Sequence, residues 1–82
     1  MNISDQLIIR TFEEKLMIIN LGNGKVTVID EIGVEFWNAL VSKTPKEEFI
    51  EAMMAEYDVD RTVIEDDYEK FIEKMKDEKI IW

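Results

Sequence analysis

Residues 16–33 read LMIINL, GNG, KVTVI and DEIG in direct succession, an order that leaves the chain few options. Leu16–Leu21 is rich in strand formers and runs into Gly22-Asn23-Gly24, residues that tolerate the positive φ angles of a hairpin turn. Lys25–Ile29 then returns antiparallel and empties at once into Asp30-Glu31, which suits the start of a helix. Alternation puts Val26 and Val28 on one face of this strand and Lys25, Thr27 and Ile29 on the other. Both faces carry apolar groups, so the pattern leaves open which one meets solvent.

The rest of the chain divides around that hairpin. Leu7-Ile8-Ile9, running into Arg10-Thr11-Phe12, is expected to form a first strand or an extended arm, with Glu13-Glu14-Lys15 as a polar break. Ile32, Phe36, Trp37, Leu40 and Val41 recur at helical spacing. Thr44-Pro45-Lys46-Glu47 predicts a capping box opening a second helix that buries Phe49, Ile50, Met53, Met54 and Tyr57. Thr62-Val63-Ile64-Glu65 is a second candidate box before a third helix carrying Ile64, Tyr68, Phe71, Ile72 and Met75 on one stripe. Ile80-Ile81-Trp82 is expected to return toward the sheet. The predicted class is α+β: one domain over residues 1–82, an N-terminal three-stranded antiparallel sheet followed by three helices, arranged as a winged helix-turn-helix.

Composition narrows the function. There is no cysteine and no histidine, which removes disulfides, thiolate nucleophiles, Cys/His zinc sites and imidazole acid–base chemistry. Asp58-x-Asp60 resembles the start of a calcium loop but lacks the turn glycine, so capping and a solvated face explain the acids there. No catalytic residues, metal ligands or cofactor cradle are predicted, and the chain is expected not to be an enzyme. The N-terminus lacks a signal pattern and no apolar run reaches membrane-spanning length, so a cytoplasmic protein with no membrane partner is expected. Net charge is −9, and Asp58–Glu69 holds six acids against the single base Arg61. Those carboxylates would face phosphates in a helix-turn-helix complex, so no nucleic-acid partner is expected. A binding module is left, and its exposed resource is strand edge, to which a partner peptide can add as a further strand. Lys25 and a neighbouring loop can equally blunt that edge, and edge pairing can make a homodimer.

Several segments, in order, resemble the PqqD family: Met17-Ile18-Ile19-Asn20-Leu21, Gly24, Val28-Ile29-Asp30, Gly33 and Phe36-Trp37-Asn38-Ala39-Leu40. The resemblance continues through Thr44, Phe49-Ile50, Tyr57-Asp58-Val59-Asp60, Asp67-Tyr68, Phe71-Ile72 and Ile80-Ile81, covering the chain from about residue 7. The chain departs from the family at Ile29-Asp30, often leucine-asparagine there, and near Lys43, where a glycine is usual. The resemblance implies a RiPP recognition element, a non-catalytic peptide chaperone without cofactors. Such proteins bind the leader of a ribosomally made precursor peptide as an added strand and present it to a modifying enzyme. That enzyme is often a radical SAM enzyme, a cyclase or a leader peptidase. Carried onto this chain, the strand wall is Lys25, Val26, Thr27, Val28 and Ile29, and the helix wall is Ile64, Asp67, Tyr68, Phe71 and Met75. Core packing is the competing role for the apolar members, and favourable placement near its own helix start is the competing role for Asp67. Proline at Thr27 is expected to remove an N–H from the binding edge. The alternative reading is a winged-helix protein-interaction or transcription-associated module.

Overall fold

Strand formers and turn residues set the first half of the molecule, which a computed structural model describes over residues 1–82. Strand β1 (Leu7–Phe12) turns through Glu13-Glu14 into β2 (Lys15–Asn20), and β2 returns through residues 21–25 into β3 (Val26–Ile29). Both pairings are antiparallel and the order is β1-β2-β3, so β1 and β3 are the two edges. At the second turn the Gly24 N–H donates to the Asn20 carbonyl at 2.7 Å, with Gly24 at φ +75°, a conformation glycine adopts without strain. Helices α1 (Glu31–Ser42), α2 (Lys46–Tyr57) and α3 (Arg61–Asp77) follow. The α+β class and the three-strand, three-helix order match expectation, in an arrangement consistent with a winged helix-turn-helix.

The helix boundaries differ from those predicted. Asp30 precedes α1 in extended backbone, but its carboxylate makes no capping bond. Pro45 is itself extended at ψ 139°, so α2 starts one residue later than a Thr44 cap requires, and the predicted capping box is not formed. Similarly α3 starts at Arg61, after Asp60, which places Thr62 inside the helix instead of at its cap. The Asp60 carbonyl does the local work, accepting from the Val63 and Ile64 N–H groups. Lys43 ends α1 in the left-handed region (φ 57°), where glycine is the relaxed residue. That geometry accounts for the glycine expected near this position.

Burial is one-sided across the sheet. Leu16, Ile18 and Asn20 of β2 and Thr27 and Ile29 of β3 point under the helices, with Leu16 opposite Ile29 and Ile18 opposite Thr27. Leu16, Ile18 and Ile29 meet Trp37 and Leu40 of α1, Met75 of α3, and Ile80 and Ile81 in a first core. The tail reaches that core without joining the sheet; it bridges Ile3, with the Ser4 N–H donating to the Ile80 carbonyl at 2.8 Å. A second core joins Phe36 and Ala39 of α1 to Phe49, Ile50 and Met53 of α2 and Ile64 of α3. Phe71 packs against both. Phe36 is the hub of the aromatic contacts, edge-on to Phe49, Tyr68 and Phe71 at ring separations of 5.5–5.6 Å. The predicted helical stripes match the buried faces except at Ile32 and Val41 of α1 and Tyr57 of α2, which are exposed.

Asn20 is buried and fixes where α3 ends. Its Nδ2 donates to the carbonyls of Glu78 and Lys79 at 3.2 and 3.3 Å, and its Oδ1 accepts from the Gly22 N–H at 2.9 Å. Asn23 Nδ2 also donates to the Glu78 carbonyl. The carbonyls of the two residues that follow α3 are thereby held against the β2–β3 loop. The core assignment predicts that Ile50→Ala, at a fully buried site, lowers unfolding free energy by about 2–5 kcal/mol. Val41→Ala, half exposed, should change it by less than about 0.5 kcal/mol. Urea denaturation followed by tryptophan fluorescence checks both.

Candidate functional site: the edge of β3 and the face of α3

A strand edge is usable only where its backbone groups are free, and the β2–β3 register decides which ones are. The Asn20 N–H donates to the Lys25 carbonyl at 2.8 Å, which sets the alternation for the strand beyond it. The Lys25 carbonyl and the backbone groups of Thr27 and Ile29 therefore face β2, with Thr27 opposite Ile18 and Ile29 opposite Leu16, while the Lys25 N–H donates to Asn23 Oδ1. Val26 and Val28 aim N–H and C=O away from the sheet, where no further strand lies. The free edge offers two donors and two acceptors, all from those two valines. Their side chains are 57% and 50% exposed, whereas those of Thr27 and Ile29 are buried. The facing left open by the sequence is thus settled. Proline at Thr27 would break the ladder to β2, not the free edge; the residue that tests the edge is Val28.

Helix α3 runs beside this edge. A shallow cleft of about 150 Å³ lies between them, lined by Val28, Ile29, Asp30, Gly33, Phe71, Lys74 and Met75. Gly33 lets the first turn of α1 pack on the end of β3 at the mouth of this cleft, because a Cβ there would collide with Cγ2 of Ile29. Of the predicted helix wall, Phe71 lines the cleft half-buried and Met75 forms a fully buried part of its floor. Ile64 and Tyr68 do not line it. Ile64 sits in the second core, and Tyr68 stacks with Phe36 and Phe49 beside a separate hollow at the α1–α2 junction. Burial pushes the Tyr68 phenol up, and nearby Lys46 pulls it partly back. Asp67 is exposed on α3, and Lys25 is exposed just before β3.

Length explains the division along the helix. Ile64, Phe71 and Met75 do share one stripe, but α3 has 17 residues, about 25 Å, against about 13 Å for the four residues of β3. The strand can border only part of the helix; the first turns pack against α2 instead. There Arg61 Nη1 reaches Glu47 Oε2 at 2.7 Å and Glu65 Oε1 at 3.3 Å, and these carboxylates raise the Arg61 pKa above its ordinary value.

Sequence reading missed Asp30, Gly33 and Lys74 as cleft residues. Lys74 follows Phe71 by three positions and so shares its face, a usable signal hidden among the alternating charges of residues 73–79. It forms no ion pair and is exposed. The largest recess lies elsewhere, about 470 Å³ beside the β1–β2 turn, with Glu14, Glu31, Glu35 and Tyr57 spread around its lining. No three acidic side chains in the molecule converge as a metal site would require. No helix is long and apolar enough to cross a membrane.

The model of the family described as coenzyme PQQ synthesis protein D (PqqD) matches residues 15–81. The chain belongs to the PqqD family. A search of curated proteins found no match. Among solved structures the PqqD-like chain is similar to TbiB1 in complex with the TbiA(beta) leader peptide. The two are 27% identical and superpose with a TM-score of 0.88, over 99% of this chain and 94% of that one.

The hydrogen-bond alternation makes a structural prediction independent of any ligand. Thr27→Pro should lower stability by about 3 kcal/mol or more, because it removes a ladder bond in the sheet. Val28→Pro should cost no more than about 1–2 kcal/mol, since its N–H points off the edge. Thermal melts of the two variants provide the comparison.

Proposed function

We propose that this protein is a non-catalytic RiPP recognition element that binds the leader of a ribosomally made precursor peptide and presents it to a modifying enzyme. The observation that carries this reading is the pairing of an unpartnered strand edge at Val26 and Val28 with a walled cleft beside it. Family membership and the similarity to a leader-peptide complex support it. The leader adds to β3 as a fourth strand, exchanging main-chain bonds with those two valines, and affinity comes from that ladder. Alternate leader side chains turn into the cleft against Phe71 and over Met75, where apolar groups gain most from burial. Lys74 and Asp30 flank those positions and favour complementary charges in the leader.

The same surfaces weigh against a DNA-binding role. The exposed side of α3 carries Asp66, Asp67 and Glu69, in a chain with net charge −9. Those groups would repel phosphates where a helix-turn-helix protein needs positioning contacts. The chain acts as a one-domain cytoplasmic adaptor in this reading, and its chemistry is supplied by the enzyme it serves.

The test is a titration with a synthetic leader peptide taken from a short reading frame beside the gene, followed by calorimetry. Wild-type protein should bind it, and folded Val28→Pro should bind at least about tenfold more weakly, having lost one main-chain donor and gained bulk at the edge. Equal affinity for the two proteins would contradict strand addition at β3.

A further inference from the structure

The sheet has a second face that the helices never cover. The register places Ile8 and Phe12 of β1, Met17 and Ile19 of β2, and Val26 and Val28 of β3 together on the side opposite Leu16 and Ile18. None of these six belongs to either core or packs against one. Phe12, Val26 and Val28 are 42–57% exposed, and the other three are half-buried. Arg10 and Lys15 stand on the same face, and none of its positions is acidic. In a chain with 19 acids and 10 bases, that makes this face locally positive.

We infer that this outer face is the docking surface for the modifying enzyme. The inference rests on the peptide reading above and adds the place where the second partner sits. Two six-residue strands and one of four, about 4.8 Å apart, give a mostly apolar face of about 250 Å², large enough to mark an interaction site on a small soluble protein. A stable homodimer would need about 800 Å² from each copy, so the face alone is too small to hold a permanent second copy. Self-pairing is also poorly matched, since Arg10 and Lys15 would meet a copy of a face with no carboxylate. The partner that fits is a globular protein presenting an apolar patch set among Asp and Glu, bound transiently and steered by charge. The face is continuous with the peptide edge through Val26 and Val28, so an enzyme seated on it lies beside the leader strand.

The experiment uses the purified modifying enzyme encoded beside the gene as its probe, with full-length protein and leader peptide present. Phe12→Ser and the charge-reversed Arg10→Glu/Lys15→Glu lie on β1 and β2, away from the cleft, and exposed positions keep both variants foldable. Enzyme affinity should fall at least about tenfold in each, while leader affinity stays within about twofold of wild type. For the charge reversal, the loss should appear mainly in association rate and shrink as salt is raised. Equal enzyme binding by wild type and variants, or no enzyme binding by wild type, would overturn the assignment. So would a wild-type dimer in analytical ultracentrifugation that Phe12→Ser abolishes. Leader affinity is measured in parallel, so failure of the peptide reading shows as a wild-type protein that ignores leader and is distinguishable from failure of this face.

Discussion

Strand β3 is held in the molecule by the Lys25 carbonyl and the backbone groups of Thr27 and Ile29, and the peptide-binding edge follows from that alternation. The same three residues that bond to β2 leave Val26 and Val28 with free donors and acceptors on the other side. The pleat simultaneously turns Thr27 and Ile29 into the core and the two valines out of it. A one-residue slip would bury the valines and point a different backbone set at the edge. Register is defended from both ends: by the Gly24 turn and the Asn20 bonds at the start of β3, and by Gly33 packed on Ile29 at its end.

The two cores divide the labour of the helices. The first attaches the sheet to α1, the end of α3 and the tail, while the second welds α1, α2 and the start of α3 into a helical unit. Phe71 belongs to the boundary between them and also lines the cleft. A ligand seated there would touch a side chain in contact with both halves of the fold. The acid excess lies over the helical unit, which carries most of the exposed carboxylates, and is absent from the outer sheet face. Charge and apolar surface are therefore segregated by element, as expected where one side of a small domain must remain soluble and another must meet a partner.

Much of this was legible in the residues, and the failures have identifiable physical causes. The hairpin, the helices and their central core positions follow from alternation and helical spacing, because burial imposes those periods. Capping was misread at Thr44 and Thr62, where backbone angles at Pro45 and Asp60 set the helix start and side-chain hydroxyls did not. The facing of β3 could not be read from KVTVI, since its valines are as apolar as its buried isoleucine; only the position of the helices breaks that tie. Ile64 and Tyr68 were grouped with Phe71 and Met75 because angular position on a helix is visible in sequence. How far along α3 the strand extends is not visible, and the cleft is limited to the length they share. Lys74 and Gly33 line the cleft through contacts that helical spacing alone does not mark.

Amide hydrogen exchange, residue by residue along β3, with and without saturating leader peptide, tests the central claim most directly. In the free protein the amides of Val26 and Val28 should exchange nearly unprotected, while those of Thr27 and Ile29, bonded to β2, should be protected. Leader binding should slow Val26 and Val28 by at least about a hundredfold and leave the order of the other two unchanged. Valine amides already protected in the free protein, or indifferent to bound leader, would contradict strand addition at this edge.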